Sequence, residues 1–172
     1  MTTAYVPTPA GEVLLSASGT ALTGLWFVGQ KHFARPLPRP LPPPGDSPAL
    51  TAAKCWLKAY FAGKRPSPFE LDLAPEGTPY QLAVWRVLLT IPYGEVMPYG
   101  EVAREAARLL GKERYSARAA GVAVGHNPVS IVIPCHRVIG ADGSLTGYAG
   151  GLERKTALLK LEGVDLENPF GD

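Results

Sequence analysis

The chain has 172 residues, 46% of them apolar, with 17 Lys or Arg against 15 Asp or Glu. That length holds one substantial domain or two small ones able to fold without covalent staples. A net charge of +2 excludes neither presence nor absence of a nucleic-acid partner. The two cysteines, Cys55 and Cys135, are too far apart for a CxxC metal knuckle and too few for a disulfide framework. The start MTTAYVPTPAGEV lacks the basic and apolar regions of a signal peptide, and no apolar run approaches the about 20 residues of a membrane span. A cytoplasmic protein without membrane association is expected.

In chain order, residues 12–18 and 21–28 read as two strands joined by the Gly19-Thr20 turn. The stretch RPLPRPLPPPGDSP, residues 35–48, contains seven prolines and predicts an extended surface connector. Residues 51–63 show helical spacing, with Ala52, Cys55, Trp56, Ala59 and Tyr60 on one face and Gly63 as a stop. On that reading Cys55 is a buried structural thiol. A linker over 64–78 carries the expected domain boundary, giving domains 1–77 and 78–172. A second helix is expected over 79–89, with Leu82, Trp85, Val87 and Leu88 in the core.

PYGEV then occurs twice, at 92–96 and 98–102, once as a turn and once as a helix start with Pro98 at the first helical position. Helices over 99–109 and 116–125, broken near Gly111, suggest a helix-turn-helix. From Pro98 to Lys160 there are nine Lys or Arg against five Asp or Glu, weak support for an anionic partner on this half. The β-branched run Val129–Ile133 predicts a strand, and a last helix is expected over 152–161, closed by Gly163.

Directly after that run comes Pro134-Cys135-His136-Arg137. Pro134 forces Ile133 to stay extended and turns the chain, presenting Cys135 on a stiff element. A free thiol is only a few per cent ionised at neutral pH, so a working cysteine requires a base or positive charge beside it. Neighbours on an extended segment face opposite ways, so His136 acts on Cys135 through a water if it acts at all. Read alone, the tetrad is equally compatible with an inert buried thiol and a structural histidine. Glu162, in the last turn of the final helix, opposes the helix dipole; an acid that orients His136 is a sufficient reason for it.

The sequence IPCHRVIG, preceded by RAAGVAVGHNPV and followed by GYAGGLERKTALLKLEG, closely resembles the O6-alkylguanine-DNA alkyltransferases over residues 78–164. The resemblance implies a mixed α/β (α+β) fold: a small N-terminal ribonuclease-H-like α/β domain, then a mostly helical, winged-helix-like domain with the helix-turn-helix. It implies Cys135 as alkyl acceptor, His136 as water-mediated base, Glu162 as the acid that sets the His136 tautomer, and Tyr99 as hydrogen-bond or proton donor to the purine. Tyr99, Gly100, Arg118 and Ala119 would contact DNA, with Arg118 as the finger that fills the stack when the nucleotide is flipped out.

Small residues around Arg118 would allow a close, sequence-independent approach to the minor groove of double-stranded DNA. Val138, Tyr148 and Ala149 would line the guanine pocket, and Asn127 would tie the recognition helix to the active-site turn. Ala149 stands where some members have serine. Neither cofactor nor metal is expected, and the protein would act as a monomer, once per molecule, on O6-alkylguanine, with activity on O4-alkylthymine left open by the sequence. Two rivals share part of this pattern. A lesion-binding module keeps the fold but replaces the cysteine, and a Cys-His acyl hydrolase has no use for Arg118.

Overall fold

In a computed structural model all 172 residues are described. They form two compact units, one of Met1–Glu76 with Pro128–Val132, the other of Gly77–Asn127 with Ile133–Asp172. Helices and strands are mixed, placing the chain in the expected α/β class.

The first unit is built on an antiparallel meander of β1 (Thr2–Val6), β2 (Val13–Ser18) and β3 (Ala21–Phe27). β2 and β3 lie close to the expected pair, whereas β1 was not anticipated. Leu14 pairs with Trp26, and Ser16 with Gly24. A Cβ at Gly24 would fall 1.8 Å from the Trp26 ring, so only glycine lets the indole fold over the strand. The proline-rich stretch is more than a connector: Leu37 and Leu41, with Phe33 just before it, pack against the buried Leu14, Trp26 and Ala34. It also edges the sheet, because Pro43 accepts from Thr3 N at 3.1 Å and Gly45 supplies the amide that Thr3 O needs. Proline cannot donate to a ladder but can accept from one.

The helix α1 spans Pro48–Phe61, three residues earlier than the spacing suggested. Ser47 fixes the start, its side chain accepting from Leu50 N. Ala49, Leu50, Ala53, Trp56, Leu57 and Tyr60 form the buried face; Ala52 is exposed, and Cys55 is an exposed free thiol rather than a buried one. The expected face was rotated because Ala and Cys carry too little apolar area to outweigh Leu50 and Leu57, which bury almost completely.

Residues 129–133 are not a strand. Val129 makes a single bridge to Leu25, Ser130 N donates to Leu25 O, and the chain then turns, with Ile131 at φ 70° and Val132 N bonding Ser130 O. Val129, Ile131, Val132 and Ile133 are all buried, so the β-branched run serves packing and not a ladder.

In the second unit α2 (Pro79–Leu88) starts with a capping box between Thr78 and Gln81. Ala83, Val84, Trp85, Val87 and Leu88 are buried, whereas Leu82, a core candidate in the sequence, is 42% exposed; it lies on the arc opposite the face centred on Val84 and Leu88. α3 (Tyr99–Leu109) and α4 (Ala117–Gly125) pack on α2 and on each other. Trp85 Nε1 donates to Ala123 O at 2.9 Å, pinning α4. Pro98 caps α3 instead of entering it, and sits in β4 (Met97–Pro98), paired in parallel with β5 (Val138–Ile139). α5 covers Leu152–Leu161. No helix is long and apolar enough to cross a membrane.

Candidate active site

Cys135 opens a one-turn 310 helix, Cys135–Arg137, directly before β5. Two donors converge on the carbonyl of Ile133: Cys135 N at 2.8 Å and Asn127 Nδ2 at 2.8 Å. Asn127 lies one residue beyond the His126 cap of α4 and is buried. Thus one amide couples the second helix of the pair to the turn that carries the thiol. Cys135 is only 4% exposed. Burial pushes its thiol above the ordinary value, although hydrogen bonding by Asn127 and Tyr148 and the charge of Lys155 pull the other way. The resting group is a thiol, and ionising it calls for a base.

His136 and Glu162 are both fully buried at their side chains and meet at 2.5 Å, His136 Nε2 to Glu162 Oε2. Glu162 caps the C-terminus of α5, a position a carboxylate holds only with strong partners. Arg137 supplies them on the other oxygen: its Nε donates to Glu162 Oε1 at 2.7 Å, and a second guanidinium nitrogen to Ile91 O at 2.6 Å. Burial alone would raise the Glu162 carboxyl; His136 and the Arg137 guanidinium reverse that and hold it at about 2. Burial pushes His136 below its ordinary value, against the opposing pull of Glu162. His136 is therefore neutral at pH 7, and its bond to Glu162 together with the Arg137 guanidinium keeps Glu162 ionised. The imidazole gives its Nε2 proton to Glu162, and the buried Nδ1, with no protein partner, presents a lone pair.

The two PYGEV copies have separate duties. In the first, Tyr93 donates to Leu161 O at 3.2 Å and stacks under Arg137, and the turn amide of Gly94 donates to Glu162 Oε1 at 3.3 Å. It braces the acid. In the second, Tyr99 heads α3 and its hydroxyl donates to Thr146 O at 2.7 Å. Burial raises the Tyr99 hydroxyl, so it stays protonated and able to donate.

Among the other candidates, Tyr148 lies beside Cys135, Ala149 is half-buried, and Val138 is wholly buried with its carbonyl taken by Lys155 Nζ at 2.6 Å. Gly100 and Arg118 are exposed in the first turns of α3 and α4. Ala119 N is tied to Ser116 Oγ at 3.0 Å. No group of three His, Cys, Asp or Glu side chains is gathered as a metal would require.

Sequence reasoning passed over Lys155, which is 0% exposed, and gave Arg137 no duty of its own. The signal for Lys155 was available: 155, 158, 159 and 162 share one helical face, so the lysine occupies a core position beside Leu158 and Leu159.

Comparison with known proteins places this geometry in context. The 6-O-methylguanine DNA methyltransferase DNA binding domain matches residues 79–164, and the ribonuclease-like domain of 6-O-methylguanine DNA methyltransferase matches residues 1–75. A methylated-DNA–protein-cysteine methyltransferase of Mycobacterium tuberculosis is 45% identical over 157 residues, covering 91% of this chain and 89% of the relative. One from Methanosarcina barkeri is 45% identical over 158 residues, covering 91% and 94%. The crystal structure of Mycobacterium tuberculosis OGT in complex with DNA superposes with a TM-score of 0.79 at 42% identity, covering 94% of this chain and 92% of that one.

Proposed function

Because the chain belongs to the 6-O-methylguanine DNA methyltransferase family, we propose that it repairs DNA by direct reversal, moving a methyl or small alkyl group from O6-alkylguanine irreversibly onto Cys135. The observation that carries this reading is a buried thiol beside a neutral histidine whose Nε2 is bonded to an ionised carboxylate.

The Cys135 proton passes through one water to His136 Nδ1, and Glu162 balances the imidazolium that forms. The sulfur lone pair forms a bond to the alkyl carbon as the carbon–O6 bond breaks. The electrons of that bond go into the purine, which takes the Tyr99 hydroxyl proton and leaves as a neutral base; the imidazolium then releases the Cys135 proton and Tyr99 takes one up through water, so the net transfer is one proton from Cys135 to the purine. Tyr99 exchanges its exposed acceptor, Thr146 O, for the purine. The product thioether is stable, so each molecule acts once, without cofactor or metal. O4-alkylthymine presents the same alkyl–oxygen bond and belongs to the same substrate class.

A base inside a duplex is out of reach of a buried sulfur, so the nucleotide must be flipped out at a cost of a few kcal/mol. Arg118, exposed and near the start of α4, enters the vacated stack. Gly100 and Ala119 meet the backbone, and the small residues of α4 allow approach through the minor groove without sequence preference. Val138, Tyr148 and Ala149 hold the flipped base, and Asn127 links it to the DNA-reading helix. The domains are 1–77 and 78–172, and the protein works as a cytoplasmic monomer.

The test is to incubate duplex DNA containing one O6-methylguanine with increasing protein, then hydrolyse the DNA and quantify the lesion. One lesion lost per protein molecule supports the proposal. Tight binding with the lesion intact would make this a lesion-binding module instead.

A further inference from the structure

Lys155 is fully buried in α5, and its ammonium has three acceptors, all backbone carbonyls: Val138 O at 2.6 Å, Gly147 O at 3.1 Å and Thr146 O at 3.4 Å. No carboxylate lies within ion-pair distance of it; the buried carboxylate of its own helix, Glu162, is engaged by Arg137, His136 and Gly94. Burying a charge without a counter-ion costs several kcal/mol even when its hydrogen bonds are made. An uncharged donor could bridge carbonyls at lower cost. The retained charge therefore calls for an anion that is absent from the resting protein.

The groups facing Lys155 identify that anion. They are Cys135 and His136, carried by the 310 turn that Val138 closes with its amide on Cys135 O while its carbonyl holds Nζ, and Tyr99 of α3, whose ring is centred 5.7 Å from Nζ. In the resting protein Tyr99 is protonated and His136 neutral, and the first of these groups to become an anion in the reaction is Cys135, on losing its proton to His136. The interaction is mutual: Lys155 lowers the Cys135 thiol, and Cys135 opposes the burial that brings Lys155 down to about 8. Lys155 also shares the carbonyl of Thr146 with the Tyr99 hydroxyl, so one side chain fastens the acceptor turn, at Val138, to the segment that holds the purine's donor.

We propose that Lys155 is a positioning residue of the transfer reaction, a buried cation that clamps the Val138, Thr146 and Gly147 carbonyls and stands as the fixed counter-charge to the Cys135 thiolate. It gives up no proton and forms no bond to the alkyl group. This rests on Cys135 being the alkyl acceptor, and the experiment reads thiol chemistry without DNA so that the two can fail separately.

The pH dependence of Cys135 alkylation by iodoacetamide, located by peptide mass, is measured for the wild type, Lys155→Met and Lys155→Arg, with thermal melts alongside. In folded Lys155→Met the midpoint should rise by about one unit or more, a rate loss of about tenfold at neutral pH. Lys155→Arg should keep the wild-type midpoint even where its rate falls through a disturbed clamp. If Lys155→Met folds with an unshifted midpoint, the proposal is overturned.

A second measurement needs no lysine variant. In protein labelled at lysine 13Cε, reciprocity requires Lys155 to titrate about one unit lower or more in Cys135→Ser than in the wild type, since only the wild type forms the thiolate. Identical titrations in the two proteins overturn the proposal regardless of whether DNA is repaired.

Discussion

Replacing Glu162 by Gln tests the proton path at one atom pair. Glu162 Oε1 faces two donors, Arg137 Nε at 2.7 Å and Gly94 N at 3.3 Å, whereas Oε2 faces His136 Nε2. The amide oxygen of Gln must take the first position, which puts its NH2 against His136. His136 then has to accept at Nε2, and its proton moves to Nδ1, the atom proposed to take the Cys135 proton. A base in the wrong tautomer forfeits general-base catalysis, a factor of about 10²–10⁴. The same change leaves the Arg137 guanidinium, 8% exposed, without its charge partner, which costs about 3 kcal/mol of stability. The assay is a single-turnover quench with protein in excess over O6-methylguanine duplex, with a denaturant melt on the same sample. A variant that loses the stability but transfers within about threefold of the wild-type rate would refute the histidine path, since effects on general bases are far larger.

Two further predictions concern other parts of the molecule. Arg118→Ala should leave stability within about 0.5 kcal/mol, as an exposed residue, and slow repair of duplex DNA at least about tenfold, while reaction with free O6-methylguanine base stays unchanged because no flipping is needed; an equal loss on both substrates would contradict a role in flipping. Acid should destabilise the fold in two windows. The unfolded chain protonates His136 below its ordinary pKa of 6.5 while the native state resists, so stability falls as pH drops through that value. Glu162, held below its ordinary 4.5 by the bonds from His136 and Arg137, adds a further loss as pH falls below that value. Denaturant melts at pH 7, 5.5, 4 and 3 read both, and stability that is flat across that range would remove the buried pair from the account.

Local signals were legible wherever one short segment settles its own conformation. α5 and α3 begin and end where the sequence placed them because Gly163 and the second PYGEV copy act within a turn of the boundary. Glu162 was legible as a carboxylate against a helix dipole. What the sequence concealed depends on distant partners. β1 gains its place from β2 and from Pro43 and Gly45, and residues 129–133 keep the composition of a strand while Leu25 offers them only one bridge. The face of α1 was misjudged because Cys55 was weighted as a core residue when Leu50 and Leu57 set the orientation. Lys155 hid behind the expectation that lysines are solvated, although its register with Leu158 and Leu159 pointed inward.

The most direct measurement is peptide mass spectrometry of the protein after reaction with duplex DNA carrying one O6-methylguanine, in parallel with Cys135→Ala. One added methyl on the peptide containing Cys135, at one per molecule and absent from the variant, is the predicted result. A methyl group on Cys55, or complete repair by Cys135→Ala, would contradict the account.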